Sequence, residues 1–187
     1  MAVETELKFR VSSHDPTRRA LISLAARPIG TFLETNWIMD HADGSLRSQG
    51  CGLRVRQSVN RQTQQQAATL TFKGPRASGP FKIREEIEIG LSNAERMVQV
   101  LGLLGLPVVL EYQKLRESWR HDECRIELDQ PARIGTFVEI EGPDPAAIRR
   151  VQGQLGLSDQ AVEDASYVEL LMDHCAGHGI VERRLVL

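Results

Sequence analysis

Carboxylates and cations recur at every second position of this chain. Near its start Glu4, Glu6 and Lys8 alternate with Thr5, Leu7 and Phe9. Arg54 and Arg56 follow in GLRVR, then Arg84, Glu86 and Glu88 in IREEIEI, and Lys114 and Arg116 in QKLRES. Glu127 and Asp129 stand in RIELDQ, and Glu139 and Glu141 in FVEIEG. A β-strand sends residues i, i+2 and i+4 to one face, so each segment has a charged face and a largely apolar one. One such strand is ordinary. Six or seven point to a shared wet interior that holds an anion and a metal together.

Neighbouring carboxylates supply the oxygen ligands that hard divalent cations take. Paired Arg and Lys suit a polyphosphate, the guanidinium binding in bidentate fashion and the ammonium as a point charge. Enclosure away from bulk water strengthens both attractions, and burying such charges without partners costs on the order of several kcal/mol each. The competing reading is a sheet with one solvated face, where charges at period two are normal. Against it stands the pairing by sign along each strand: Arg54/Arg56, Lys114/Arg116, Glu4/Glu6, Glu86/Glu88, Glu127/Asp129 and Glu139/Glu141. Like charges on one face repel, and a counter-ion between them removes the conflict.

The elements that position these residues read as follows. Strands are expected over about 2–11, 31–41, 50–59, 67–73, 81–90, 110–119, 123–130 and 134–141. Helices are expected over 15–26 with Asp15 as N-cap and Pro16 first, from a Ser92/Glu95 capping box to about 104, from Asp144-Pro145 to Leu155 with Gly156 beyond, and over about 159–175. That makes about eight strands, mostly antiparallel by their short connections, and about four helices. Residues 1–187 show no linker or solenoid repeat and read as a single domain. With Leu53, Val55, Ile83, Ile87 and Ile89 packed on helices, the sheet can curl with its charged face inward. The expected class is α+β, a closed antiparallel barrel that holds a ligand.

Composition narrows the partners. A formal net charge of -2 and a pI of about 6.2 do not advertise nucleic-acid or membrane binding. The three cysteines, Cys51, Cys124 and Cys175, have no CxxC spacing, which fits a reducing cytoplasm better than a disulfide framework or a zinc motif. No signal peptide or membrane span is read in the sequence. No P-loop or dinucleotide-binding glycine fingerprint is present, so side chains are expected to hold any phosphate. His174 and His178 are spaced i, i+4 but read as surface residues. The C-terminal ERRLVL could close one mouth of a barrel through Arg183 or Arg184, though nothing in the sequence forces it.

The segment ETELK resembles the ExExK signature of the CYTH domain family, the triphosphate tunnel metalloenzymes. The resemblance continues in order through GLRVRQ, TLTFKGP, IREEIEI, QKLRESW, RIELDQ, IGTFVEIEGP and SYVELL. It implies an eight-stranded antiparallel tunnel with helices outside, a triphosphate gripped by basic residues, and Mg²⁺ or Mn²⁺ held by carboxylates. Carried over by position, Glu4, Glu6, Glu139 and Glu141 would be the metal-site and catalytic residues. Lys8, Arg54, Arg56, Lys73, Arg84, Lys114 and Arg116 would bind substrate, and Glu86, Glu88, Glu127 and Asp129 would also face the tunnel.

The resemblance implies one of several activities. The first is metal-dependent hydrolysis of inorganic triphosphate or of a nucleoside or organic triphosphate. The second is class IV-type adenylate cyclisation of ATP to cyclic AMP and pyrophosphate. The third, from a different class, is a non-catalytic polyphosphate- or nucleotide-binding module. Those cyclases resemble one another in a His-Phe pair before ExExK, where this chain has Met1, Ala2 and Val3. Vertebrate-type thiamine triphosphatases carry a Trp where this chain has Gly52. The first departure argues against the cyclase and the second against thiamine triphosphate as substrate, which puts hydrolysis first, with a triphosphate-containing small molecule as partner. Oligomeric state stays open, a homodimer among the options.

Overall fold

The computed structural model describes residues 2–76 and 82–187; the side chains of residues 2–4 and of Lys82 lie outside the described set, and with them the expected roles of the Glu4 carboxylate. Strands form where polar and apolar residues alternate: β1 (Ala2–Val11), β2 (Arg27–Met39), β3 (Gly52–Asn60), β4 (Gln66–Lys73), β5 (Lys82–Leu91), β6 (Val108–His121), β7 (Cys124–Pro131) and β8 (Thr136–Glu141). They join antiparallel around a ring, β1-β5-β4-β3-β2-β6-β7-β8 and back to β1. The ring closes where β2 meets β6, with Leu33 opposite Leu115 and Glu34 opposite Lys114. A short strand β9 (Arg184–Leu185) runs parallel to the start of β6, opposite Glu111 and Tyr112, on the stretch that β7 leaves uncovered. The architecture is therefore the expected eight-stranded antiparallel barrel, with one strand added and helices outside.

The helices are α1 (Asp15–Ser23), α2 (Ser45–Ser48), α3 (Ala94–Leu103), α4 (Pro145–Gln154) and α5 (Tyr167–Gly177). Their starts follow local hydrogen bonding. Asp144 accepts from the backbone of Ala146 and Ala147, as expected of that N-cap. The other caps differ from expectation. His14 holds the N-cap position of α1, and Asp15 inside the helix pairs with Arg18 at 2.7 Å. Asn93, not Ser92, caps α3 by accepting from Arg96 N. The last helix begins at 167 rather than 159 because Ser166 and Glu169 form a reciprocal capping box there. The single turn of α2 went unread in the sequence.

Outward apolar residues make the core between barrel and helices. Leu7, Phe9, Ile126, Leu128, Val138 and Ile140 are buried with Leu21, Ile148 and Val151 of α1 and α4. Val55, with Leu53 and Leu70 beside it, packs under Ala94 and Leu101 of α3. Coverage is incomplete at β5: Ile83 packs on the main cluster, but Ile87 and Ile89 stay 48% and 50% exposed. Their expected burial under helices is not met. Among the described residues no helix is long and apolar enough to cross a membrane.

A third cluster is built differently. Ile38, Tyr112 and Phe137 share the inward faces of Asn36, Lys114 and Glu139 by the two-residue period, yet they pack with Tyr167, Leu171 and Cys175 of α5 and with Leu185. Helix α5 thus seals one end of the barrel with apolar contacts. Arg183 and Arg184 do not do this work: Arg184 pairs with Glu111 at 3.0 Å and is itself 65% exposed, while Arg183 lies against the Met172 sulfur.

The joint between β8 and α4 is tight at Gly142. A Cβ there would meet Cys124 Sγ at 2.8 Å and Ile148 Cγ1 at 2.9 Å. Gly142→Ala is therefore expected to lower stability by roughly 1–3 kcal/mol through overpacking. Urea unfolding would show this as a lower midpoint at unchanged slope; an unshifted midpoint would mean that Ile148 gives way freely.

Candidate active site

The inner face of the barrel gathers the alternating charges, and Asp129 is their hub. It is fully buried. Lys114 Nζ donates to it at 2.8 Å, Arg116 Nε at 2.7 Å and Tyr167 Oη at 3.0 Å. Burial alone would push its carboxyl up, but Arg116 and Lys114 hold it far below the usual carboxylate range. Arg116 also donates to Glu139 at 2.7 Å and lies 3.8 Å from Glu127. Burial disfavours its charge too, and Asp129, Glu127 and Glu34 reverse this to keep the guanidinium firmly protonated.

Glu34 is the second node. It accepts from Arg56 Nη1 at 3.2 Å and faces Lys114 Nζ at 3.5 Å. Burial raises its pKa, and Arg56, Lys114 and Arg116 outweigh that, bringing it down to about 2. On the other side of the barrel Lys73 pairs with Glu86 at 2.8 Å. Thr71 donates to Glu88 at 2.8 Å, and Arg54 reaches Thr71 at 3.5 Å. Glu127 accepts from Ser118 and from Arg125. Lys8 donates to the Ala165 carbonyl. The Tyr167 ring lies between two lysines, 4.3 Å from Lys8 Nζ and 5.0 Å from Lys114 Nζ, and stacks edge-on to Phe137 at 5.2 Å.

Strand register sorts these charges into two regions. Lys114 faces Glu34 and Asp129 faces Arg116, opposite signs in both cases. On β3, by contrast, Arg54 is flanked across the strands by Ile38 and Thr71, and Arg56 by Asn36 and Thr69, so no acid stands directly opposite either one. Burial, and then Arg56, push the Arg54 guanidinium pKa down, as a cation short of counter-charge requires. Between β1, β7 and β8 acids also face acids: Glu6 stands opposite Glu141 and Glu127 opposite Glu139, with Lys8 across the other side of Glu139 and Arg125 across the other side of Glu141. Burial, then Glu6 and Asp129, push the Glu139 carboxyl up. Directly opposed carboxylates are destabilising unless a cation lies between them, and oxygen donors are what Mg²⁺ and Mn²⁺ take. The donor set therefore fits such an ion, although the described residues contain no ready-gathered group of three or more acidic, His or Cys ligands. Glu4 stands opposite Arg84 in the β1–β5 pairing.

An inner cavity of about 180 Å³ opens at the end away from α5 and is lined by Phe32, Glu34, Arg56, Thr69, Arg116 and Arg125 among others. A larger surface cavity of about 330 Å³, over Gln57, Gln66 and the start of α3, holds none of the paired charges.

The structure thus brings Glu6, Lys8, Arg54, Arg56, Lys73, Glu86, Glu88, Lys114, Arg116, Glu127, Asp129 and Glu139 into ion pairs, hydrogen bonds or the inward rows just described. Sequence reasoning missed Glu34 and Asn36 on β2 and Ser118 on β6, all buried, as well as Tyr167. Glu34 is the lone charge of its alternating run, and a search for same-sign pairs passes over it. Ser118 extends the Lys114/Arg116 period by one step. Tyr167 reaches Asp129 from a helix, and no strand pattern signals that.

The CYTH domain matches residues 2–159 of this chain. A Methanocaldococcus jannaschii protein named "Putative adenylate cyclase" is 25% identical over 139 residues, which span 74% of this chain and 76% of that protein. A solved structure of a Pyrococcus horikoshii OT3 protein superposes with a TM-score of 0.80 at 25% identity, covering 91% of this chain and 99% of the other. A Hippeastrum structure described as a "putative adenylyl cyclase" with a dominant triphosphatase activity reaches a TM-score of 0.68 at 20% identity, covering 91% and 96%, a likeness of fold.

Glu34 supplies a pH test. Its folded pKa of about 2 lies below the unfolded value of roughly 4.3. Its stabilisation is therefore fully present above pH ~4.3 and is lost as pH falls toward 2. Glu34→Gln should cost about 3 kcal/mol or more at neutral pH, since it leaves Arg56 and Lys114 short of a buried partner. The gap to wild type should narrow below pH ~4.3 in urea titrations. A gap independent of pH would show that the Glu34 charge carries none of this stabilisation.

Proposed function

This chain belongs to the CYTH domain family, and from that premise we propose that it is a divalent-metal-dependent triphosphatase acting on inorganic triphosphate or a nucleoside triphosphate inside the barrel. The observation that supports this most is the charge imbalance between the two sides of the interior. Neither Arg54 nor Arg56 has an acid in direct register on a neighbouring strand, although Arg56 reaches Glu34 one step along β2, while Glu6 stands opposite Glu141 and Glu139 opposite Glu127 as well as Lys8. A polyanion answers the first imbalance and a cation the second.

In this reading Lys8, Arg54, Arg56, Lys73, Arg84, Lys114 and Arg116 grip the phosphates. Glu4, Glu6, Glu139 and Glu141 would hold Mg²⁺ or Mn²⁺, an ion that when bound neutralises phosphate charge and acidifies water. Arg116 is fixed by Asp129 and Glu139, so its charge is in place before the reaction and needs no reorganisation as the phosphoryl group is transferred. The Glu139/Glu141 side orients a water for in-line attack on the terminal phosphorus. A new P–O bond forms to that water, the bridging P–O bond breaks, and pyrophosphate leaves from inorganic triphosphate. The Arg and Lys side chains stabilise the charge that develops on the leaving oxygen. Cyclisation of ATP is the second reading, carried by the name of the Methanocaldococcus jannaschii relative.

The test assays purified protein on inorganic triphosphate, ATP and thiamine triphosphate with Mg²⁺ or Mn²⁺, scoring phosphate, pyrophosphate and cyclic AMP together. Phosphate release, fastest from inorganic triphosphate, is expected. Cyclic AMP with matching pyrophosphate would replace hydrolysis by cyclisation, and binding without any product would leave a non-catalytic module. Glu6→Gln should lower kcat by roughly 100-fold or more while the circular dichroism spectrum is kept, as loss of several kcal/mol of charge stabilisation requires. Full activity in that variant would remove Glu6 from the site.

A further inference from the structure

Asn36 is fully buried on the inner face of β2, and neither its Nδ2 nor its Oδ1 has a hydrogen-bond partner. A neutral amide left this way lowers stability, because both of its polar atoms lose water and gain nothing. It does not stand alone. Arg56 lies directly across on β3, and Thr69 directly across from Arg56 on β4. Arg56 Nε and Thr69 Oγ1 are likewise buried without a partner. Arg56 and Thr69 both line the inner cavity. Three neighbouring strands therefore present one inward row, Asn36–Arg56–Thr69, in which Asn36 Nδ2, Arg56 Nε and Thr69 Oγ1 meet no protein acceptor.

Contrast with the opposite wall sharpens this. Lys114, Arg116, Ser118 and Tyr167 all donate to carboxylates of that same wall. There the protein satisfies itself; on the β2–β4 side it does not. The Arg56 side chain is aimed by its Nη1 bond to Glu34, which leaves Nε for something else. An amide N–H, a guanidinium Nε–H and a hydroxyl in one row suit a tetrahedral group with several acceptor oxygens. The Asn36 carbonyl oxygen needs a donor instead, which water around the bound group can provide.

We propose that Asn36 and Thr69, with Arg56 between them, form a phosphoryl-binding row whose two neutral members contact the substrate directly. This rests on the triphosphatase reading and deepens it. Charged residues bring the polyanion into the barrel from a distance, whereas neutral donors act at hydrogen-bond range and so fix where one phosphoryl group comes to rest. Asn36 suits that role by position. The next inward residue of β2, Ile38, already belongs to the apolar cluster sealed by α5, so on this strand the row is the last polar step before the closed end.

The test uses the full-length chain and inorganic triphosphate, with binding measured by calorimetry in EDTA and melting temperature measured in parallel. Asn36→Leu and Thr69→Val keep volume and remove the donors. Each should raise Kd about tenfold or more, the loss of one hydrogen bond to a charged group, while Tm stays level or rises because an unsatisfied buried polar group is gone. A Kd within twofold of wild type in both variants would overturn the row. A Tm that falls with Kd unchanged would assign Asn36 a structural role and overturn its part in binding. Wild-type protein that neither binds inorganic triphosphate in EDTA nor hydrolyses it with Mg²⁺ or Mn²⁺ would sink the triphosphatase reading itself, whereas wild-type binding with unchanged variants sinks the row alone.

Discussion

The barrel depends on one constraint: charge placed where water is scarce must be balanced within a few ångströms. Asp129 meets it for the wall made by β6, β7 and β8. Its two oxygens take Lys114, Arg116 and Tyr167, and through Arg116 they are tied to Glu139. An unbalanced ion at such depth would cost several kcal/mol, so the inward charges of that wall stand or fall together. Glu34 carries the same balance across the β2–β6 seam, where the ring closes. The hydrophobic effect shapes the outside of this barrel and its α5 end, and electrostatics shapes the rest of the inside.

Balance is not uniform, and the departures from it are what the proposed function rests on. Buried donors on β2, β3 and β4 and facing carboxylates on β1, β7 and β8 are local conflicts. Proteins that fold well tolerate such conflicts chiefly at working sites. The seal at the α5 end gives the interior a direction. Apolar contacts around Phe137, Tyr112 and Tyr167 close one end, and Phe32 and Arg125 line the cavity that opens at the other.

Much of this could be read from residue order, and what could not has physical reasons. Period-two alternation is a strong signal, so the strands and their charged faces were legible from Glu6 and Lys8 through Glu139 and Glu141. Ring closure followed because apolar faces need cover and charged faces need partners. Helix starts were less legible, since Ser, Asp and Asn compete for the cap over several residues. Asn93 displaced Ser92, and Ser166 displaced the start expected near 159. Glu34 and Asn36 were hidden by the very rule that found the others: a lone acid and a neutral amide form no same-sign pair. Tyr167 lies 38 positions from Asp129, and only the folded chain brings them together.

The stitching of β1 has a consequence for how the molecule assembles. β1 is hydrogen-bonded to β5 on one side and β8 on the other, Lys8 meets Ala165 across 157 residues of sequence, and Phe9 bridges to Val162. Contacts between such distant parts of a chain form slowly, because loop entropy is lost before the contacts repay it. Hairpins such as β3–β4 and β6–β7 can form early, each with one charged edge in water. By the same argument the interior is expected to close when β1 and the segment after α4 arrive, which makes the charged cavity a late feature of folding.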